Sequence, residues 1–247
     1  MKTVVITGAD RNIGLEITRE FLKRGWRVFA GRYLMDLPLL PELQEQYPDQ
    51  LSLVPLDVSD EESVRKAAGI VAQETGRVDM MVHNAAGFGD HSAGAAKSID
   101  FSTFMAPYNI NCLGAIRMVH CFLPLMEEGM KRLCFVSSEA GAVSVAHRDE
   151  ISSYCMSKTA LNMAVRLMFN KLQPMGYSFR LYHPGWVRSA KIEHAGEKAP
   201  SFEVDGKLIG KFWPWETAAA AVPQFIEDRD WEDRLVLIDN EGAAWPF

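Results

Sequence analysis

Short apolar runs alternate with amphipathic stretches along nearly the whole chain, and this rhythm limits the fold more than any other feature. Strand-like segments are expected at Lys2–Thr7, Trp26–Gly31, Leu51–Leu56, Val78–His83, Arg132–Ser137, Ser178–His183 and Leu235–Asp239. Helical periodicity is expected over Ile13–Arg24, Glu61–Thr75, Phe101–Glu128, Tyr154–Leu172 and Pro214–Glu227, with Pro223 expected to kink the last. A capping pattern, Ser59 followed by Glu62, precedes the second helix. Apolar strands alternating with helices imply an α/β fold, a doubly wound parallel sheet of about seven strands covered on both faces. Such sheets bind ligands at the carboxyl ends of their strands. The 247 residues suit a single domain, 1–247, with no linker or repeat.

The first strand runs into Thr7-Gly8-Ala9-Asp10-Arg11-Asn12-Ile13-Gly14. Strand, glycine turn and helix start make a phosphate cradle, because the backbone can approach a pyrophosphate closely and the free N–H groups of the helix start favour its charge. Alone, the turn would equally suit any tight strand-to-helix connection.

Charge and composition narrow the classes. A net charge of −6 gives no footprint for nucleic acid or an anionic membrane. No uninterrupted apolar run reaches the length of a membrane span. Cys112, Cys121, Cys134 and Cys155 lie in apolar contexts without C-x-x-C spacing, and the six histidines show no metal-ligand spacing. Met1-Lys2 leads straight into strand-like sequence, so a cytoplasmic protein without a structural metal is expected.

Tyr154 and Lys158 are four apart and share one helix face. A phenol of pKa about 10 is a poor acid or base near neutrality; an adjacent ammonium stabilises the phenolate and brings it into range. Ser137 and Ser138 end a buried strand, where a hydroxyl can bond a substrate oxygen as charge develops. Asn111 is a poor helix-interior residue, tolerated at a kink or in a polar site. Asn84 and the small residues Ala85, Ala86 and Gly87 suit a backbone passing a flat ligand.

These residues, with Asp57 after the third strand and Pro184-Gly185, follow the order found in short-chain dehydrogenase/reductases, which the chain resembles from Thr3 to Trp245. The runs His183-Pro184-Gly185-Trp186-Val187 and Asp239-Asn240-Glu241-Gly242…Trp245 resemble the branch with C-factor-like and carbonyl-reductase-like members. The resemblance implies Tyr154 as acid/base, Lys158 lowering its pKa and holding the nicotinamide ribose, Ser138 orienting the substrate oxygen, and Asn111 positioning a water that links Lys158 to solvent. It implies Gly8, Arg11, Asn12, Ile13 and Gly14 at the pyrophosphate, Asp57 and Val58 at the adenine, Asn84, Ala85 and Ala86 beside the ribose, and Pro184, Gly185 and Val187 at the nicotinamide. Asn12 departs from the usual Gly or Ala but tolerates a left-handed backbone; Ala86 stands where Gly is usual.

Charge then bears on the cofactor. The second strand ends Phe29-Ala30-Gly31-Arg32, with no acid for a ribose hydroxyl; Arg11 and Arg32 together favour the extra phosphate of NADP(H). The expected substrate is a small carbonyl or alcohol compound against a wall of Phe88, Glu139, Val143, His147, Trp186 and Trp213. The polar stretch 189–211 is expected to be a lid on the substrate side. Tyr154–Leu172 carries apolar residues nearly all round, so a homodimer or homotetramer is expected. The alternative is a catalytically silent nucleotide-binding regulator on the same fold.

Overall fold

The computed structural model describes residues 1–89, 100–188 and 212–247, with the backbone of residues 193–194, 197–198, 203–204 and 207–208. The elements in chain order are β1 (Thr3–Ile6), α1 (Asn12–Lys23), β2 (Arg27–Arg32), α2 (Leu39–Gln46), β3 (Leu51–Pro55), α3 (Glu61–Glu74) and β4 (Met80–His83). Then come α4 (Met105–Pro107), α5 (Gly114–Met126), β5 (Arg132–Val136), α6 (Ser152–Leu172) and β6 (Ser178–His183). Two small antiparallel hairpins follow, β7 (Glu193–His194) with β8 (Glu197–Lys198), and β9 (Glu203–Val204) with β10 (Lys207–Leu208). The chain closes with α7 (Pro214–Ile226), β11 (Leu237–Asp239) and β12 (Ala244–Trp245). The expected lid, 189–211, lies outside the described residues except for those hairpin backbones.

The main sheet has eight strands in the order β12-β11-β6-β5-β4-β1-β2-β3. Every pairing is parallel except β11 with β12. The chain winds outward from β1 to β3, then returns to lay β4 on the other side of β1. The strand order reverses between β1 and β4, where a doubly wound sheet opens its crevice. Strand alternation divides the core: Val5 faces the layer of α3, α5 and α6, where Met118, Phe122 and Phe169 pack, while Val4 and Ile6 face Phe21 of α1 and Phe225 of α7. Each of these aromatic side chains contributes roughly 1.5–3 kcal/mol by leaving water.

Local chemistry departs from the expected elements at four places. α2 was not expected, because eight residues with Pro41 inside give a weak period; Leu40 and Leu43 bury it. Asp60, not Ser59, caps α3 by accepting from Glu62 N at 3.0 Å, while the Ser59 hydroxyl donates to Asp57 at 2.7 Å. The expected helix Phe101–Glu128 is broken into a 3₁₀ turn (Phe101–Thr103), α4, a π-helical segment (Tyr108–Leu113) and α5. β12 was not expected; it pairs antiparallel with β11 and makes the sheet eight strands rather than about seven. Among the described residues no helix is long and apolar enough to cross a membrane.

Candidate active site

The carboxyl ends of β1, β4, β5 and β6 open on one cleft of about 480 Å³. Its two halves are built differently.

The first half is made of backbone and small side chains. Gly8 has a φ of 62°, and a Cβ there would stand 2.7 Å from Ala85 Cα. A Cβ on Gly14 would overlap the Gly8 carbonyl oxygen and lie 2.5 Å from Asn84 Nδ2. Glycine is therefore dictated by close approach at both positions. Thr7 Oγ1 accepts from Asn84 N and Ala85 N, each at 3.0 Å, and Asn84 Nδ2 donates back to Thr7 O (3.2 Å) and Gly8 O (2.9 Å). Asn12 is left-handed, with a φ of 49°, as expected for an asparagine in place of glycine. The Asp10 carboxylate accepts from Tyr33 N and Leu34 N, fastening the turn to the chain after β2. Arg11, Asn12, Ile13, Asp57, Val58, Ala85 and Ala86 line this half. A narrow cradle closed to any Cβ, between two strand ends at the topological switch, fits the pyrophosphate and adenosine of a dinucleotide.

Arg32 is not brought into the cleft. Its guanidinium turns under the following loop and donates to the Met35 and Leu37 carbonyls. Arg11 is left as the expected cation that lines the cleft, so the pairing of two guanidiniums is corrected to one.

The second half is made of long side chains. Ser138, Tyr154 and Lys158 all line it, from the end of β5 and from α6, and Pro184, Gly185, Trp186 and Val187 wall it after β6. Gly185 is left-handed, at 70°, and Asn240 Nδ2 holds the Pro184 carbonyl at 2.8 Å. Val187 bridges to Phe212. Lys158 is buried, donates to Val136 O at 2.9 Å, and stands 5.7 Å from the centre of the Tyr154 ring. Burial pushes it down to about 7. Burial also pushes the Tyr154 hydroxyl above the ordinary phenol range; the neighbouring Ser138 hydroxyl lowers it, Glu139 raises it, and burial wins. In this structure burial outweighs any lowering of the phenol by the lysine, which donates to the Val136 carbonyl and is itself desolvated.

Asn111 sits in the π-helical segment and is fully buried. Its side chain accepts from Gly87 N at 2.8 Å and donates to Gly87 O (2.9 Å) and Ser157 Oγ (2.8 Å). It ties the chain after β4 to α6 and does not itself line the cleft.

Of the expected substrate wall, Phe88, Glu139 and Trp186 line the cleft, and Phe88 stacks on Tyr154 with ring centres 4.6 Å apart. Three expectations fail. His147 is exposed and outside the lining; its neighbour Arg148 turns in. Val143 is exposed. Trp213 stacks on Trp215 at 4.9 Å with the Arg188 guanidinium over it, outside the lining. Sequence reasoning also missed Ile151, a cleft residue with a φ of 52°. A β-branched residue held left-handed costs of order 1–3 kcal/mol. It directly precedes α6, with Tyr154 in the first turn of that helix.

Glu139 carries most of the polar contacts of this half. It accepts from the Ser138 hydroxyl at 2.8 Å, from Trp186 Nε1 at 3.2 Å and from the Arg148 guanidinium, which also lies 5.2 Å over the Trp186 ring. His183 Nδ1 accepts from Glu139 N (3.3 Å) and Gly185 N (3.2 Å), so the imidazole joins the serine loop to the Pro184-Gly185 loop. Burial holds His183 below its ordinary value, consistent with that acceptor role.

Comparison with known proteins agrees with this geometry. The short chain dehydrogenase family model matches residues 2–199. An uncharacterised oxidoreductase of Schizosaccharomyces pombe is 32% identical over 243 residues, covering 97% of this chain and 90% of that protein. A carbonyl reductase from Pseudomonas aeruginosa, solved in complex with NADP, superposes with a TM-score of 0.80 at 25% identity over the full length of both chains. An NADPH-bound carbonyl reductase from chicken fatty liver shares the fold, with a TM-score of 0.81 at 22% identity, covering 100% of this chain and 99% of that one. The motif order, the doubly wound sheet and these matches agree: the chain belongs to the short chain dehydrogenase family, as an oxidoreductase.

Proposed function

We propose that the protein is an NADP(H)-dependent oxidoreductase of carbonyl-reductase type, interconverting a carbonyl and a hydroxyl group on a small molecule. The observation that carries this reading is the meeting of Ser138, Tyr154 and Lys158 in the same cleft as the glycine cradle. Gly8, Arg11, Asn12, Ile13 and Gly14 would hold the pyrophosphate end of the cofactor, Asp57 and Val58 the adenine, Asn84, Ala85 and Ala86 the near ribose, Lys158 the nicotinamide ribose, and Pro184, Gly185 and Val187 the nicotinamide. NADP(H) supplies the hydride when bound. Tyr154 holds the proton that the substrate oxygen gains on reduction, and burial keeps it protonated until that oxygen turns basic. Phe88 and Trp186 close the apolar side of the substrate. Arg11 is the cation that favours a 2′-phosphate, with the Asp10 charge spent on two backbone N–H groups.

The functional protein is read as a cytoplasmic homo-oligomer. Met156, Met163 and Leu167 of α6 are each about three-fifths exposed, and Ile116 of α5 is exposed too. A second copy covering that face is the partner proposed.

The test is a panel of aldehydes and ketones with NADPH, followed by its absorbance, on the parent and on Tyr154→Phe. Turnover lost with the hydroxyl supports the reading. Tight NADPH binding with no turnover of any carbonyl would favour the silent regulator.

A further inference from the structure

The hydroxyl of Ser138 has one proton, and in this structure a carboxylate takes it. Ionised Glu139 can only accept, so in the 2.8 Å contact Ser138 is the donor. The same oxygen already accepts from Ala140 N at 3.1 Å. Its remaining lone pair has the Tyr154 hydroxyl as neighbour, and no proton is left for a ligand in the cleft. A group meant to bond a developing oxyanion must donate; here the donor faces away from that task.

Glu139 is not free to serve the substrate in exchange. Oε1 accepts from Trp186 Nε1 and the Arg148 guanidinium, and Oε2 accepts from Ser138 while facing His183 Nδ1 at 3.3 Å. It is about nine-tenths buried. Three donors of the protein, Ser138, Trp186 and Arg148, occupy its oxygens, and the remaining side of Oε2 faces the His183 ring, which sets it apart from a side chain waiting to meet a ligand donor.

The geometry points to Glu139 as a positioning residue that withholds the Ser138 proton from the substrate oxygen and returns it only when the carboxylate is neutralised. This deepens the oxidoreductase reading and rests on it. The charged and titratable groups facing Glu139 are Arg148 from its own side of the cleft, His183 from the end of β6, and Tyr154 and Cys155 from α6. Burial alone would raise the carboxyl; the Ser138 hydroxyl and then the Arg148 guanidinium outweigh it and hold it below the usual range. The carboxylate is therefore ionised at neutrality, and the Ser138 donor becomes available as pH falls through the lowered value.

Glu139→Gln separates charge from shape. Arg148 and Trp186 both donate, so the amide oxygen belongs on their side and the amide N–H₂ on the side of Ser138 Oγ and His183 Nδ1. Ser138 then accepts from the amide, and its own proton is released into the cleft.

Two measurements test the assignment. In protein labelled with ¹³C at glutamate carboxyls, the signal lost in Glu139→Gln identifies Glu139, and Ser138→Ala should raise its titration midpoint by about one pH unit, the worth of a hydrogen bond to a charged group. An unmoved midpoint overturns the proposal whether or not any substrate is known. With NADPH and the best carbonyl of the panel, kcat/KM at pH 7 should rise about tenfold in Glu139→Gln, part of the ~10²–10³ range of a single oxyanion donor. Below the ordinary carboxyl range the parent should gain rate relative to the variant as pH falls, while the step from Lys158 near 7 is common to both. Ser138→Ala should cost about tenfold more in the Glu139→Gln background than in the parent; equal costs overturn the proposal. A shifted midpoint with no turnover in any variant supports the Ser138–Glu139 pairing and counts against the oxidoreductase reading instead. Melting temperatures of the variants close to the parent's exclude loss of fold as the cause.

Discussion

The glycine-cradle half and the Glu139 half of the cleft do opposite things with side chains. Around Thr7, Gly8, Gly14 and Asn84 the wall is backbone, and most of its hydrogen bonds join main-chain atoms to two short polar side chains. Around Glu139, Arg148, Trp186 and His183 the wall is long side chains from three separate stretches of chain, meeting at one carboxylate. The first has no room for a methyl group at Gly8 or Gly14. The second can be re-tuned by one substitution without moving the main chain. On the proposed reading, a common cofactor and a varied substrate would call for that division of labour.

The sharpest way to break this comparison is Gly14→Ala. The added Cβ overlaps the Gly8 carbonyl oxygen and crowds Asn84, so NADPH binding should fall by more than about 100-fold with a lower melting temperature, since the turn must open to fit it. Fluorescence titration of NADPH and a thermal melt check it; near-parent affinity would show that the cradle is not built by close approach. Next in size, Tyr154→Phe should cost at least about 10²-fold in kcat while NADPH affinity stays within a few-fold, because the hydroxyl belongs to the side-chain half alone. A third prediction sharpens the assignment of charge. Arg11→Ala should weaken NADPH by about tenfold, the worth of a charge-assisted bond to phosphate, and leave NADH unchanged. Arg32→Ala should lower stability without changing the NADPH-to-NADH ratio, because its guanidinium holds the Met35 and Leu37 carbonyls; isothermal titration with both nucleotides separates the two outcomes. Smallest, Ile151→Gly should relieve left-handed strain and change stability by only about 1 kcal/mol, yet lower kcat by loosening the entry of α6. A kcat unchanged beside that stability shift would show that the strained residue does not orient Tyr154. Outside the cleft, Leu167→Asp should convert the assembly to a monomer by light scattering; a parent that is itself monomeric at micromolar concentration would remove the proposed α6 interface.

The same contrast explains what was legible in the sequence. Gly8, Gly14 and Asn84 could be read because the residue type itself shows at a strand end, as a missing side chain or a short polar one, although the atoms that impose it come from the other strand end. Tyr154 and Lys158 could be read from helix spacing, and the sheet from the alternation of apolar runs. Arg148 could not be distinguished from His147, since both lie in a loop without periodicity and only the packed position of Trp186 decides which side chain turns inward. Arg32 stands where a phosphate-binding cation would stand; nothing local says that the next five residues fold back to offer it carbonyls. α2 and β12 were missed for another reason. Eight residues with an internal proline, and two residues paired against β11, carry too little pattern to show before tertiary contacts fix them. The phenol and the ammonium were legible as a pair, but their proton affinities were not, because these depend on how much water the folded cleft removes.

One further feature reaches beyond the cleft. Asp239 gathers the N–H groups of Glu241 and Ala243 and the indole of Trp245, and the adjoining Asn240 holds the Pro184 carbonyl and accepts from the buried Tyr182 hydroxyl. The loop proposed to meet the nicotinamide thus hangs from a knot tied 56 residues later in the sequence. For anyone engineering this protein, the stretch from Asp239 to Trp245 is not spare surface on which to append a tag or trim a residue: a cut or an insertion there would be felt first at the Pro184-Gly185 loop that Asn240 holds.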